Sequence, residues 1–213
     1  GAAGSGGATM CASTCSDPNV IDDFEDGDII ACPRQNWTID WWTDGDEYGY
    51  SVPTIETKEE LAVTLDTPRD TSCGALHLEG YGFSDWGVEI GLTFNNPTKE
   101  MPLPVDLSAY QGVAFWVRGT GSVQVQLPTI DTLPPEAGGV CSGEWPDCWD
   151  YFESGFITLT STWTRHEIDF ASLANEYEGA TPTATDLRYV LNLFFYLSID
   201  TTFDLWLDDV SFY

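Results

Sequence analysis

Positive charge is the scarcest thing in this chain. Seven Lys and Arg stand against 35 Asp and Glu, a formal net charge of -28, and only Lys58 and Lys99 are lysines. Phosphate backbones and anionic membrane surfaces are gripped by basic patches, so both are argued against as partners. Histidine is almost missing too. His77 and His166 stand alone, outside any H-E-x-x-H or H-x-x-x-H pattern, and no two cysteines have C-x-x-C spacing, which leaves zinc without a ligand set. There is no G-x-S-x-G elbow, and "RGTGS" lacks the rest of a phosphate loop. Glycosidase chemistry needs two carboxylates at a set separation, and among so many acids the sequence singles out no pair. His166 and Glu167 are neighbours on a strand pattern and so face opposite ways. These absences predict a protein that is not an enzyme. No run of about 18 apolar residues occurs, so no membrane-spanning helix is expected.

What the chain does have is alternation. In "VEIGLTF", Val88, Ile90, Leu92 and Phe94 fall on one face; in "VAFWV", Val113, Phe115 and Val117 do; "VQVQL" (123–127), "LNLFFYL" (191–197) and "FDLWL" (203–207) repeat the pattern. Period two means strands with one buried and one wet face. Gly, Pro, Asn and Asp punctuate the gaps, and only "DFASLANEY" (169–177) suggests a turn or two of helix. Many short strands and almost no helix predict an all-β antiparallel β-sandwich, a jelly roll, as one domain over residues 20–213. Residues 1–19, rich in Gly, Ser and Thr, read as a tail, linker or processed start with no leader before it. Six cysteines predict disulfides and an extracellular or cell-surface location. Cys141 and Cys148 are the easiest local pair, Cys11 and Cys15 lie in the tail, and Cys32 and Cys73 could join two loops.

The last strand pattern carries Asp208 and Asp209 side by side, which is awkward for a segment entering a core, since one buried unpaired carboxylate already costs several kcal/mol. The order of segments bears on this: "VIDDFEDGD" opens the domain, then come "GFSDWGVEIGLTF", "DLSAYQGVAFWVRGTGSVQVQL", "FITLTSTWTRHEIDFASL", "TDLRYVLNLFFY" and the closing "FDLWLDDVSFY". Over about residues 20–213 this series resembles the jelly-roll carbohydrate-binding modules, especially the family-11-like β-glucan binders and related galactose-binding-like domains. The Cys141 to Cys148 loop, the acidity and the N-terminal tail depart from that pattern. The resemblance implies a structural calcium between the first and last strands, held by Glu25 and Asp208, with Asp23 and Asp209 as second choices. Hard oxygen ligands suit that ion. "DGDEYGY" (44–50) is a further acidic cluster, but Tyr48 at its fifth position breaks the EF-hand pattern.

A sugar is bound by an aromatic face with short polar groups beside it. On the wet faces stand Asn192, Phe194 and Tyr196, and beside them Gln124 and Gln126; Tyr196 also matches a tyrosine position of the family the chain resembles. "EWPDCWDY" adds Trp145, Trp149 and Tyr151 as walls, "SDWG" adds Trp86, and Trp41 and Trp42 are further candidates. Trp116 and Trp206 read as caps on the sandwich or as packing under loops, Trp163 as core, and Phe194, with no polar handle, rather as packing than as a platform. The expectation is a secreted, non-catalytic domain that recognises a neutral polysaccharide, with calcium as its cofactor. The alternative is a structural subunit of an extracellular filament, sheath or surface layer, a homopolymer joined through the N-terminal tail and calcium, since an extended tail can add a strand to a neighbour.

Overall fold

The computed structural model describes residues 11–34, 37–55, 57–143, 147–177 and 184–213. It is the expected all-β sandwich, two antiparallel sheets closed on one core. One sheet holds β1 (Val20–Asp22), β3 (Tyr50–Val52), β4 (Ala62–Arg69), β5 (Ser72–Tyr81), β7 (Gly112–Thr120), β11 (Thr164–Asp169) and β13 (Thr202–Phe212). Its order is β11-β7-β13-β5-β3, with β1 on β13 and β4 on β5. The other holds β2 (Asp40–Gly45), β6 (Val88–Thr93), β8 (Ser122–Leu127), β9 (Phe152–Glu153), β10 (Ile157–Thr158) and β12 (Asn192–Leu197), in the order β10-β8-β12-β6-β2 with β9 on β8. Helical structure among the described residues is limited to three-residue 3-10 turns, one of them Phe170–Ser172 inside the stretch expected to turn. No helix of the described residues is long and apolar enough to cross a membrane.

Alternation sets the core. Val88, Ile90 and Leu92 from β6, Val123 and Val125 from β8, and Leu193 and Phe195 from β12 meet Val113 and Phe115 from β7 and Leu205 and Leu207 from β13, all fully buried. Fully burying a side chain of this size contributes roughly 1.5–3 kcal/mol. Trp41, a candidate for the binding face, belongs to this core instead, and its Nε1 donates to Asp22 at 2.8 Å.

The awkward Asp208–Asp209 pair is explained by a bulge. On β13, Leu205 and Leu207 point inward, yet further along it is Val210 and Phe212 that do. The parity changes because the register with β7 slips between Asp208 and Ser211, and Asp209 takes a positive φ of 47°. One inserted residue lets two successive aspartates avoid the core. Both carboxylates then meet Arg69 at the end of β4. Its Nε and one terminal nitrogen donate to Asp208 Oδ2 at 3.0 and 2.9 Å, and the same terminal nitrogen reaches Asp209. Ser72 Oγ donates to Asp208 at 2.7 Å, and the Asp209 N–H donates to its other oxygen.

Arg69 also belongs to a stack on the outer face of this sheet. Its guanidinium lies 4.6 Å from the Trp116 ring and 5.7 Å from Trp163; Arg118 lies 5.1 Å from Trp163 and 4.5 Å from Trp206; His77 stacks on Trp206 at 4.0 Å. Trp163 is therefore not core, and Trp116 and Trp206 do not cap the sandwich ends. All three are half-buried, Trp163 between two guanidinium groups and Trp116 and Trp206 each against one.

Three disulfides close the described cysteines: Cys141–Cys148, Cys15–Cys32 and Cys11–Cys73. Cys32 and Cys73 do not pair with each other; each takes a cysteine of the N-terminal segment. The β1 pairing with β13 brings the start of the domain beside β5, so both partners lie within reach of residues 11–15. Residues 1–10 of the 1–19 tail invoked for assembly lie outside the described residues, as does Asn36, which with Trp37 and Thr38 forms an N-x-T glycosylation acceptor sequence.

Candidate binding cleft

The six-stranded sheet positions the site, because antiparallel register lines up one residue from each of four strands. Asp44 on β2 pairs with Glu89 on β6, Glu89 with Tyr196 on β12, and Tyr196 with Gln124 on β8. All four face away from the core. Beside this row runs a second: Trp42, Gly91, Phe194, Gln126 and Glu153. The second row fills itself. A Cβ at Gly91 would lie 2.2 Å from the Trp42 ring, so only glycine lets that indole lie flat across β6. Trp42 meets Phe194 edge-on at 5.2 Å, and Tyr151 closes over Phe194 at 5.5 Å.

Loops raise walls around the first row. Asp46 accepts hydrogen bonds from the N–H groups of Asp85 and Gly87 at 2.9 and 3.0 Å, and so fixes the turn that carries Trp86. Gly87, at a φ of 100°, leaves room for the Tyr196 ring, which a Cβ there would meet at 2.9 Å. On the other side, the Cys141–Cys148 loop presents Trp149, and Asp150, buried, accepts from the Glu176 N–H at 3.0 Å, drawing that segment alongside. Together they enclose a cleft of about 830 Å³, within the usual range for ligand sites. Trp86 and Trp149 are 41% and 43% exposed at its rim, free to stack on a ligand.

The cleft is strongly acidic. Asp44, Asp85, Glu89, Asp150, Glu153 and Glu176 line it. Burial, and then the neighbouring Asp44, pushes Glu89 up to about 8. Burial, opposed by the Gln126 hydrogen bond and reinforced by Glu176 and Asp150, brings Glu153 to about 7. Burial, then Glu89 and Asp44, pushes the Tyr151 hydroxyl up as well.

No family model matches the chain, and no curated protein matches it. Solved structures do. The chain is similar to the family 11 carbohydrate-binding module of a cellulosomal cellulase of Clostridium thermocellum, at 16% identity and a TM-score of 0.56 over 91% of this chain and 92% of that one. It is likewise similar to the family 11 module from the same organism in complex with a β-1,3-1,4-mixed-linked tetrasaccharide, at 16% identity and a TM-score of 0.55 over 91% and 94%. The fold is that of a carbohydrate-binding-module jelly roll.

Within this jelly roll, the structure brings Tyr196, Gln124, Gln126, Trp149, Tyr151 and Trp86 into one cleft lining. It does not bring Phe194 or Asn192 there. Both are buried, Phe194 under Tyr151 and against Trp42, and Asn192 one pair further along the sheet. Trp145 lies outside the described residues. Gln124 and Gln126 line the cleft with amides already in use: Gln124 Nε2 donates to the Ser154 carbonyl at 2.8 Å, and Gln126 Nε2 to Glu153 at 3.1 Å. The acidic lining is what sequence reasoning missed, although Glu89 is the charged member of "VEIGLTF" and alternation puts it on the wet face.

The residues expected to hold calcium do not form one ligand set. Glu25 accepts from the N–H groups of Cys73 and Gly74 at 2.7 and 3.2 Å. Asp23 accepts from Ser13 and Thr14, fastening the N-terminal segment. Asp208 and Asp209 are both paired with Arg69. Among the described residues, the clusters with metal-ligand spacing do not include Asp208. The oxygens are already committed to N–H and O–H donors, and a guanidinium occupies the cation's place. Excess EGTA is therefore expected to leave the melting temperature unchanged in differential scanning calorimetry; a drop of several degrees would restore calcium to this corner.

Proposed function

We propose that this domain binds a glycan chain in the cleft over the six-stranded sheet, outside the cell and without cutting it. The observation that carries the reading is the cleft itself, with the Asp44–Glu89–Tyr196–Gln124 row as its floor and the exposed rings of Trp86 and Trp149 at its rim. Flat apolar rings beside polar acceptors are what a pyranose needs, with C–H faces stacking and hydroxyls donating. The family 11 likeness supports it, one of those modules having been seen with a tetrasaccharide bound. Three disulfides support an oxidising compartment.

Affinity electrophoresis against a panel of soluble polysaccharides tests this. At least one glycan is expected to retard the protein and to be recovered uncut. Trp149→Ala and Tyr196→Ala should each weaken that retardation about thirtyfold, as loss of an aromatic anchor worth about 2 kcal/mol would. No retardation on any glycan, or retardation untouched by both substitutions, would remove the cleft from consideration.

A further inference from the structure

The glycan-binding reading leaves open what kind of sugar the cleft takes, and its charge answers that. Six of its fifteen lining residues are acidic, against 35 of 213 in the whole chain, so the cleft is more acidic than the chain that carries it. Among the described residues, no Lys, Arg or His lines it. Arg69 and Arg118 lie on the outer face of the other sheet, held against tryptophans.

Glu89 is the decisive residue. It lies at the cleft floor, half-buried and open toward the mouth, and no donor among the described residues hydrogen-bonds its carboxyl. The residue paired with it across β2 is Asp44, another acid, and like charges directly opposite on a sheet destabilise it. Elsewhere in the molecule buried carboxylates are provided for: Asp22 has Trp41 and the Phe24 N–H, Asp208 has Arg69 and Ser72, and Asp150 has the Glu176 N–H. Only from the open side of the cleft can Glu89 receive what those groups already have. A hydroxyl would bring a proton but no charge. An ammonium brings three donors and the missing charge, and the rings beside it favour a cation on their faces.

We propose, resting on the glycan-binding reading, that the cleft selects a glycan carrying protonated amines, a chain of de-N-acetylated amino sugars, over neutral and uronic-acid glycans. The amine sits at Glu89 and Asp44 while Trp86, Trp149 and Tyr196 hold the ring faces. This replaces the neutral polysaccharide expected from sequence.

Isothermal titration calorimetry with a glucosamine hexasaccharide, its fully N-acetylated counterpart and cellohexaose decides the matter. The amine form is expected to bind at least about tenfold tighter than either neutral one. Two buffers of different ionisation enthalpy add a second readout. Glu89 is faced by Asp44, Tyr151 and Tyr196, and Glu153 by Gln124, Gln126, Asp150 and Glu176; neither group meets a base there. At a pH of about 5.5, where the ligand amine is already protonated, a bound ammonium therefore ionises them, and net proton release is expected only with the amine ligand. Glu89→Gln should erase most of the preference, and Asp44→Asn should reduce it, while Asp66→Asn, on an exposed position of β4, should leave it intact. Equal or tighter binding of cellohexaose would overturn the charge selection while leaving a glycan-binding cleft. Binding of none of the three would overturn it together with that reading for these backbones. A preference weakened as much by Asp66→Asn as by Glu89→Gln would show diffuse attraction to an acidic surface, and would also overturn it.

Discussion

Replacing Arg69 by methionine is expected to destabilise the domain by about 3–5 kcal/mol, the range found when one partner of a buried ion pair is removed. In a chain of this size that lowers the melting temperature by on the order of 10 °C. The argument rests on asymmetry. Asp208 has no exposure at all, and its Oδ2 takes two of its three bonds from Arg69. Burial and the adjacent Asp209 already hold its pKa near 6 against the pull of Ser72 and Arg69. Without the guanidinium, the carboxylate is left in the sheet with Ser72 and one N–H. Methionine keeps much of the volume between Trp116 and Trp163, so the loss measures charge rather than a cavity. The double variant Arg69→Met/Asp208→Leu should recover most of the stability, since replacing a whole buried pair by apolar groups is often neutral. Urea titrations with the disulfides intact give both values. A single-variant loss under about 1 kcal/mol would mean that the pair is no better than a surface salt bridge. Since Asp208 protonates more readily once unpaired, the penalty should also shrink in acid.

The same corner shows what the sequence could and could not reveal. Every strand expected from alternation forms, because the two-residue period is a local property and its apolar members need no knowledge of their partners. The Asp208–Asp209 dipeptide was legible as an anomaly, and the sequence reading assigned calcium to it, whereas the structure sets a guanidinium against it. That partner was not legible, because Arg69 lies 139 residues away in sequence and only strand pairing brings it close. The cysteines failed in the same way. Cys32 lies in a loop and Cys73 at the start of β5, yet each pairs with a cysteine of residues 11–15, a segment that composition had set aside as a tail. For the cleft, the aromatic walls were readable since Trp86 and Trp149 sit in turn sequences. Phe194 was readable both as packing, for want of a polar handle, and as a platform, because an outward strand face can be open or covered. Parity says which way a side chain points, not what covers it, and Tyr151 and Trp42 cover that one. Glu89 was overlooked for a related reason: one acid among 35 carries no weight until register sets it against Asp44.

Stability should fall as the pH is raised from about 4 to about 8, the reverse of ordinary acid denaturation. Asp22 carries the largest share. Burial raises its pKa from 3.8 to about 8, against the hydrogen bonds from the Phe24 N–H and Trp41 Nε1 that pull it down. A folded-state pKa above the unfolded one means that the folded state keeps a proton which the unfolded state has released. The stabilisation is whole below pH 3.8 and is lost progressively as the pH approaches 8. Glu89 at about 8, Glu153 at about 7 and Asp208 at about 6 act in the same direction over narrower windows. Repulsion among the acids, toward a net -28, adds to the slope. Salt separates the two causes, since it screens exposed charges but not a buried carboxyl. Melting temperatures measured across this pH range should therefore decline at high ionic strength as well as low. Asp22→Asn should flatten the profile. The amide forfeits one hydrogen bond, about 1 kcal/mol at every pH, but no longer has a proton to lose. The variant should thus melt below the parent protein in acid and above it at pH 8. A parent profile that rises with pH at high salt, or a variant that runs parallel to the parent throughout, would show that Asp22 is ionised in the folded protein and that the buried Trp41 indole is its counterpart rather than merely its neighbour.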